Sequence, residues 1–224
     1  MNLSSVTTMR LGGPARELVV ARTEDELIAA VREADSAGTP VLLLAGGSNV
    51  VIADEGFDGR VVQVRTSGVE ADVNDCHGAW VRVAAGESWD ALVSQAVAND
   101  WVGIEALAGI PGSVGATPMQ NVGAYGQEVA STIARVEVYD RQTQQRAVLA
   151  AAECGFDYRT SMFKSATING TARYVILGVT FQFRLGDLSE PVSYIELARA
   201  LGIEVGTRVP MTDVRDAVLR LRTA

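Results

Sequence analysis

A glycine-rich stretch between Leu107 and Gly126, with the sequence LAGIPGSVGATPMQNVGAYG, constrains the fold of this chain more than any other segment. Its glycines permit positive φ and let main-chain N–H groups come close to a ligand. Pro111 and Pro118 stiffen the path, while Gln120 and Asn121 supply amide donors and acceptors. The pattern suits a flat, phosphate-bearing ligand, although an elaborate turn has the same composition.

Composition excludes several classes of partner. The 224 residues are 48% hydrophobic and 21% charged, which is typical of a globular chain. The net charge of −8 argues against nucleic acid or an anionic membrane as a partner, and no apolar run approaches a membrane span. Cys76 and Cys154 form no CxxC motif, which predicts reduced thiols in a cytoplasmic protein. The single histidine, His77, excludes a His-rich metal site.

The first 56 residues predict a small lobe of helix and strands. Thr23 and Glu26 form a capping-box pattern, and apolar residues at helical spacing follow up to Gly38. Residues 41–44 predict a strand buried on both faces, and residues 50–53 predict a second apolar strand. The Gly-Gly-Ser-Asn turn between them could hold phosphate on its amides or be a plain hairpin turn. No helix follows it, so the Rossmann fingerprint is not satisfied.

The rest of the chain predicts a larger lobe and a C-terminal segment. Ser88 is a good N-cap for a helix over 89–101, and residues 134–149 predict a hairpin. A long strand is expected over 174–184, and two short helices from 194 and 212. We therefore predict an α+β fold of two lobes, 1–56 and 57–186, with a flat ligand between them and a linking segment over 187–224.

A second informative site is the segment YRTSMFK, which begins at Tyr158 and lies in a predicted loop. The guanidinium of Arg159 is a planar, permanently charged group that can hold a carboxylate or a developing enolate. Lys164 is the only lysine of the chain and could bind a phosphate. The alternative is an ordinary surface pair of Arg and Lys beside core aromatic residues.

Five stretches together resemble one family: TTMRLGGPA, GGSN, GIPGSVGATPMQNVGAYG, YRTSMFK and RYVILGVTF. Their order and spacing are similar to those of the UDP-N-acetylenolpyruvoylglucosamine reductases (MurB), flavoenzymes of peptidoglycan precursor synthesis. The resemblance covers residues 5–222. It implies a two-lobed FAD-binding domain of the vanillyl-alcohol-oxidase (PCMH) type. It also implies non-covalent FAD, because no His or Cys matches a covalent attachment site.

The resemblance implies roles for particular residues. Arg159 matches the catalytic arginine that stabilises an enolate-like charge, and Tyr125, Tyr158, Lys164 and Tyr194 are assigned to the substrate site. The expected cofactor-binding residues are Leu44, Gly46, Gly47, Ser48, Asn49, Val50, Gly109, Ile110, Pro111, Gly112, Gly115, Ala116, Gln120, Asn121, Gly123, Ala124, Ile176 and Arg222.

The implied reaction is a hydride relay. NADPH reduces FAD, and the reduced flavin then passes hydride to an enolpyruvyl UDP-sugar nucleotide. Family members continue into a further domain that supplies a proton-donating serine and a glutamate, and no residue here matches either. The resemblance therefore predicts a flavin-binding part that is incomplete in chemistry. The alternatives are another FAD-dependent oxidoreductase of the same superfamily and a non-catalytic module with this fold.

Overall fold

The computed structural model describes residues 1–223. Within that range the chain forms thirteen strands and five α-helices. The strands are β1 Ala15–Ala21, β2 Val41–Leu44, β3 Phe57–Val64, β4 Val69–Asn74, β5 Gly78–Ala84, β6 Trp101–Val102, β7 Gly123–Ala124, β8 Gln127–Glu128, β9 Ile133–Asp140, β10 Gln145–Ala150, β11 Thr167–Ile168, β12 Thr171–Ala172 and β13 Tyr174–Leu185. The helices are α1 Glu24–Ser36, α2 Trp89–Ala98, α3 Met162–Ser165, α4 Ile195–Leu201 and α5 Met211–Thr223. None of these helices combines the length and apolar character needed to cross a bilayer.

The N-terminal lobe is a parallel sheet of three strands in the order β1-β3-β2, packed against α1. The helix begins as predicted, because Thr23 Oγ1 accepts from the Glu26 amide while Glu26 Oε2 accepts from the Thr23 amide. Three acidic residues in its first turn also stabilise the helix, because their negative charges lie next to the positive end of the helix dipole. The apolar face of α1, including Leu27 and Val31, is buried against the sheet.

The predicted strand over residues 50–53 is wrong. This segment is irregular, although the Ala53 carbonyl accepts from the Gly13 amide at 2.9 Å. Ile52 packs against a small apolar cluster that contains Leu3 and Leu44, while Val51 is 73% exposed. No strand pairs with the segment in the part of the chain that the structure describes. The third strand of the sheet is instead β3. We therefore propose that the lobe boundary lies after Val64, beyond the boundary predicted at residue 56.

The larger lobe is built on an antiparallel sheet in the order β10-β9-β13-β5-β4, with β6 paired to the far end of β13. Alternating residues of β13, such as Phe181 and Phe183, are buried against α2 and β6, where Phe183 stacks on Trp101 at 5.9 Å. A single apolar core runs from α1 and β3 into this sheet. The two lobes are therefore held against each other by continuous packing, which fixes the cleft between them.

Helix α2 is shorter than predicted because its last turn ends at Ala98. Asp100 adopts a positive φ of 59°, and Trp101 then pairs with Leu185 as a strand residue. The hairpin β9–β10 and the long strand β13 are confirmed. Strand β4 was not predicted, because all its residues are exposed and it lies at the edge of the sheet.

An ion pair fastens the β9–β10 hairpin to the segment that leads into β13. Arg173 Nε and Nη2 donate to the two carboxylate oxygens of Asp140 at 2.8 and 2.6 Å. This bidentate pair, with a further bond from the Gln142 amide, lowers the pKa of the Asp140 carboxyl to about 2. The pair lies beside Tyr174, which lines one of the cavities described below.

We expect Asp140→Asn to destabilise the fold by about 1–2 kcal/mol at pH 7, because the carboxylate is nearly buried and held in a bidentate pair. The folded-state pKa is below the unfolded one, so this stabilisation is present above about pH 4 and is lost as the pH falls toward 2. Urea unfolding of both proteins between pH 7 and 2.5 measures the difference. Asp58→Asn, which breaks an exposed pair with Arg16, is the control and should change little. A pH-independent difference at Asp140 would contradict this assignment.

Candidate functional site

Two glycine-rich turns far apart in sequence touch at the cleft. A Cβ placed on Gly46 would lie 3.1 Å from the Cα of Gly112, so the two main chains are in contact. Ser48 Oγ donates to the Pro111 carbonyl at 3.3 Å. Gly47 adopts a φ of 68° against the carbonyl of Val6, where a side chain would clash. The glycines at both turns thus bring main-chain groups, without side chains, to one place.

Three cavities line up along this cleft. The first, which we call the turn cavity, has a volume of about 480 Å³ and is lined by both glycine turns. The second, the apolar cavity, has about 440 Å³ and lies between β2 and the start of β13. The third, the tyrosine cavity, has about 750 Å³ and is lined by Tyr125, Tyr158, Arg159, Tyr194 and Arg222 among others.

The cavities adjoin one another, and we refer to the three together as the trough. The turn and apolar cavities share Leu43, Ala45, Ser113, Ala116 and Met119. The turn and tyrosine cavities share Ile110, Gln120 and Val122. The turn cavity is therefore the middle of the trough. An elongated ligand in this trough would pass the glycine turns at its centre and meet apolar side chains at one end.

The glycine-rich stretch is held rigidly by the end of β5 and the start of α2. The amides of Val114 and Gly115 donate to the carbonyls of Glu87 and Ala85, both at 2.9 Å. Asp90, in the first turn of α2, accepts from the Gly109 amide at 2.6 Å. A Cβ on Gly115 would lie 2.5 Å from the Cβ of Ala85, so only glycine fits there. The floor of the trough is thus held in place by hydrogen bonds within the protein.

In the tyrosine cavity, three side chains from distant segments converge. The rings of Tyr125 and Tyr194 meet edge to face at 5.8 Å. The guanidinium of Arg222, from the last turn of α5, lies over the Tyr125 ring at 5.6 Å and donates from Nε to the Ala108 carbonyl at 2.7 Å. This arrangement ties the C-terminal helix to the glycine-rich stretch.

Arg159 lies on the same cavity with its guanidinium exposed. Its Nη2 donates to the Gly123 carbonyl at 2.7 Å, and its own carbonyl accepts from Lys164 Nζ at 3.1 Å. Arg159 and Tyr125 adopt positive φ values of 53° and 49°. Such strain in residues other than glycine is concentrated at functional sites, because the surrounding structure must hold it in place. Tyr158, 76% exposed, stands beside Arg159.

Most of the residues predicted from the sequence line the trough. The turn cavity is lined by Leu44, Gly46, Gly47, Ser48, Asn49, Val50, Ile110, Pro111, Gly112, Ala116 and Gln120. Gly115 and Ile176 line the apolar cavity. The tyrosine cavity is lined by Gly123, Ala124, Tyr125, Tyr158, Arg159, Tyr194 and Arg222. Lys164, which was assigned to the substrate, lines the turn cavity instead.

Two of the residues predicted to bind the cofactor lie behind the walls of the trough. Gly109 packs against the side chains of Arg222 and Leu219. Asn121 is buried, and its amide is occupied inside the protein: Nδ2 donates to Glu128 Oε2 at 2.7 Å, and Oδ1 accepts from the Ala130 amide at 3.0 Å. In this structure Asn121 shapes the turn that carries Gly123, so its side chain does not face a ligand.

Sequence reasoning missed the residues that fasten the tyrosine cavity. Glu105 is fully buried, and its carboxylate accepts from the amides of Gly103 and Glu190 and from Gln127 Nε2, at 2.7–2.8 Å. Gln127 Oε1 in turn accepts from the Ala106 amide at 2.8 Å. These bonds anchor the segments before Tyr194 and after Tyr125. No sequence signal marks them, because buried Glu and Gln are indistinguishable from surface ones in a single sequence.

The fold and the trough together define a two-lobed domain that holds an elongated, phosphate-bearing cofactor on glycine-rich backbone. Comparison with known families is consistent with this class: residues 15–147, more than half of the chain, match the family described as FAD binding domain. The chain belongs to this family.

Curated relatives narrow the similarity further. The chain is 53% identical over 220 residues to the UDP-N-acetylenolpyruvoylglucosamine reductase of Cutibacterium acnes, with 98% of this chain covered. It is 55% identical over 221 residues to the enzyme of the same name from Salinispora arenicola, with 99% covered. The resemblance read from the sequence is thereby confirmed. The chain spans 57% and 60% of the length of these two relatives.

Solved structures agree on the fold. The MurB crystal structure from Thermus caldophilus aligns with the whole of this chain and 68% of its own, at a TM-score of 0.64 and 26% identity. Cholesterol oxidase from Brevibacterium sterolicum aligns with 76% of this chain and 34% of its own, at a TM-score of 0.52 and 14% identity. The second likeness shows the fold alone, which is the α+β, two-lobed class expected from the sequence.

The residues of the trough fit FAD. Backbone without side chains at Gly46 and Gly112 permits close approach of a diphosphate. The apolar cavity suits a flat ring, with Val41, Leu43 and Ile176 in its wall. The charged and aromatic cavity at the opposite end suits a polar substrate.

Proposed function

We propose that this chain is the flavin-binding part of an NADPH-dependent UDP-N-acetylenolpyruvoylglucosamine reductase. The observation that carries the proposal is the single trough, which joins two touching glycine turns to a cavity holding Arg159 and three tyrosines. The identity to reductases of this name supports the substrate class. The two free thiols of this chain, Cys76 and Cys154, are compatible with a cytoplasmic location.

We propose a position along the trough for each part of FAD. The diphosphate is expected on the main chain of residues 46–49 and 112–113, with Lys164 as the one charged side chain in the described wall of the turn cavity. The adenine is expected in the apolar cavity, and the isoalloxazine toward Gly123 and Ala124, next to Arg159. Bound there, FAD would carry hydride from NADPH to the enolpyruvyl group of a UDP-sugar nucleotide.

Arg159 performs the main electrostatic task in this proposal. Hydride addition to the terminal vinyl carbon would leave negative charge on the neighbouring carbon, delocalised into its carboxylate. The guanidinium of Arg159 stabilises that charge through charge-assisted hydrogen bonds. Its bond to the Gly123 carbonyl fixes one guanidinium nitrogen and leaves the others free to reach the substrate. Tyr125, Tyr158 and Tyr194 bind and orient the substrate, with hydroxyl groups available to its phosphates and sugar.

We propose that the group that protonates the intermediate lies in the part of such reductases that these 224 residues do not span. The tyrosine cavity is open to solvent on the side where Tyr158 and Tyr194 are 76% and 48% exposed. An open site admits water and leaves much of the substrate uncovered, which weakens both binding and charge stabilisation. The 224 residues alone should therefore bind FAD without completing turnover.

Stopped-flow absorbance under nitrogen tests this proposal. The chain fused to the C-terminal region of the Cutibacterium acnes reductase should be reduced by NADPH and reoxidised on addition of the enolpyruvyl UDP-sugar. The 224 residues alone should show slow reduction and no substrate-dependent reoxidation. Failure of the fusion to be reoxidised, with FAD bound, would contradict the substrate assignment. Rapid reoxidation of the 224 residues alone would contradict the proposed location of the proton donor.

A further inference from the structure

The walls of the apolar cavity come from both lobes. One wall is β2 of the N-terminal lobe, with Val41, Leu42 and Leu43. The other wall belongs to the larger lobe and consists of residues 170–172, in and beside β12, together with the start of β13. The separation of the two lobes at this point therefore fixes the width of the cavity, and a flat group bound there would contact both walls.

A buried guanidinium joins these two walls. Arg141 follows β9, and its side chain is 2% exposed. Its Nε and Nη2 donate to the two carboxylate oxygens of Asp35, in the last turn of α1, at 3.0 and 2.6 Å. Its Nη1 donates to Thr171 Oγ1 and to the Ala172 carbonyl at 2.7 and 2.5 Å, and both of these residues line the apolar cavity. One side chain thus bonds the helix of the N-terminal lobe and the cavity wall of the larger lobe.

Short hydrogen-bonded segments connect this guanidinium to both walls. On the side of the N-terminal lobe, the chain turns directly from Asp35 into β2, because the Thr39 amide donates to the Ala34 carbonyl at 2.9 Å. On the other side, Thr171 pairs with Ile168 across the β11–β12 hairpin, and Thr171 Oγ1 donates to the Ile168 carbonyl at 3.2 Å. A displacement of the guanidinium would therefore be transmitted to both walls.

Other arginines of the larger lobe also bind α1, but they do so at its opposite end. Arg82 and Arg146 both pair with Glu24, the first residue of the helix, at 2.6 and 2.8 Å. Neither lines the apolar cavity as the structure describes it. An ion pair buried as deeply as that of Arg141 stabilises a fold weakly, because desolvation offsets much of the attraction. Its planar guanidinium with four hydrogen bonds is better suited to fixing positions.

We propose that Arg141 is a positioning residue: its bonds to Asp35 and Thr171 set the width of the apolar cavity, and thereby the affinity for the flat end of a dinucleotide. This inference rests on the proposed function, in which that end is the adenine of FAD. Widening a gap by about 0.5–1 Å forfeits about a quarter to a half of the dispersion attraction across it. A purine ring between apolar walls depends on that attraction. Arg141 does not itself line the cavity, so it acts through the walls.

Two substitutions that keep side-chain size test this role. FAD affinity of the 224-residue chain, measured by flavin fluorescence, should fall about 10-fold in Arg141→Met and in Asp35→Asn. The double variant should lose no more affinity than either single variant, because all three lack the same bridge. Its FAD-free form should nevertheless melt above that of Arg141→Met, since no carboxylate is left without its partner. In a purely structural role, FAD affinity would instead follow the melting temperature.

Arg146→Met is the matched control. It removes an arginine that binds Glu24 and Asp25 at the other end of α1, so its FAD affinity should equal that of the unmodified chain. Competition by ADP, which carries the adenine without the flavin, identifies the affected half of the cofactor. ADP should compete with FAD less well in Arg141→Met than in Arg146→Met.

Equal FAD affinities in Arg141→Met and Arg146→Met would overturn the proposal. So would a recovery of affinity together with the melting temperature in the double variant, or equal ADP affinities in Arg141→Met and the control. If Arg141→Met does not fold, Arg141→Lys replaces it: an ammonium cannot make the same four bonds, so FAD affinity should again fall, and an unchanged affinity would overturn the proposal. Failure of the unmodified chain to bind FAD would instead refute the proposed function.

Discussion

Replacing Gly46 by valine is expected to lower FAD affinity by about 100-fold or more. The Cβ alone would lie 3.1 Å from the Cα of Gly112, and the two γ-methyl groups would enter the turn cavity. A ligand that relies on close approach to main-chain amides loses those bonds once side-chain atoms intervene. The backbone at Gly46 does not adopt a positive φ, so φ itself does not exclude valine, but the 3.1 Å contact requires the Gly112 turn to move by a few tenths of an ångström. The measurement is equilibrium FAD binding by fluorescence quenching, with circular dichroism to verify folding.

A control for this substitution is available in the same chain. Gly186 also lacks a positive φ, and a Cβ there would make ordinary contact with Val102 at 3.6 Å, outside the trough. Gly186→Val should bind FAD like the unmodified protein, and Gly46→Ala should show an intermediate loss. Equal FAD affinities for Gly46→Val and Gly186→Val would mean that the diphosphate is not held at the glycine turns.

Arg159→Ala should lower the rate of hydride transfer to the enolpyruvyl substrate by about 100-fold or more, the typical loss when one preorganised charge donor is removed. The effect is measured by stopped-flow flavin reoxidation in the fusion with the C-terminal region of the Cutibacterium acnes reductase. FAD affinity and the melting temperature should change little, because the guanidinium is exposed and makes one hydrogen bond, to the Gly123 carbonyl. Arg159→Lys should recover only part of the rate, since an ammonium replaces a planar group with several donors.

The control for Arg159 is Arg16→Ala, which removes an exposed arginine paired with Asp58 on the N-terminal lobe. Its reoxidation rate should match that of the unmodified fusion. Normal turnover of Arg159→Ala would remove Arg159 from the catalytic residues. A large loss of FAD in the same variant would show that Arg159 acts mainly through the Gly123 turn that it contacts.

The parts of the fold predicted well are those set by local interactions. The residues that form the capping box at Thr23 and the apolar face of α1 are close together in sequence, so a local sequence pattern is enough to predict them. The end of α2 depended on the pairing of Trp101 with Leu185, which are far apart in sequence. Residues 50–53 are likewise irregular because none of the described strands pairs with them, and hydrophobicity alone does not reveal that.

The site divides in the same way. The glycine-rich composition of the two turns predicts that a ligand can come close to their backbone. Most residues of these turns do line the trough. The partners of a polar side chain cannot be read in this manner. Asn121 looks like a ligand-binding amide, yet its side chain is hydrogen-bonded within the protein. Ser113 looks ordinary, yet its hydroxyl has no hydrogen-bond partner among residues 1–223. The meeting of Tyr125, Tyr194 and Arg222 depends on how α5 packs beside Glu105–Leu107.

The trough between the two lobes is expected to hold FAD. The most direct test of this expectation is a titration of the purified, flavin-free 224-residue chain with FAD, followed by fluorescence and by the shift of the flavin absorbance band. We expect saturable binding of one FAD per chain, and a lower affinity in Gly46→Val but not in Gly186→Val. A folded chain that neither quenches nor shifts the flavin signal at any FAD concentration would contradict it.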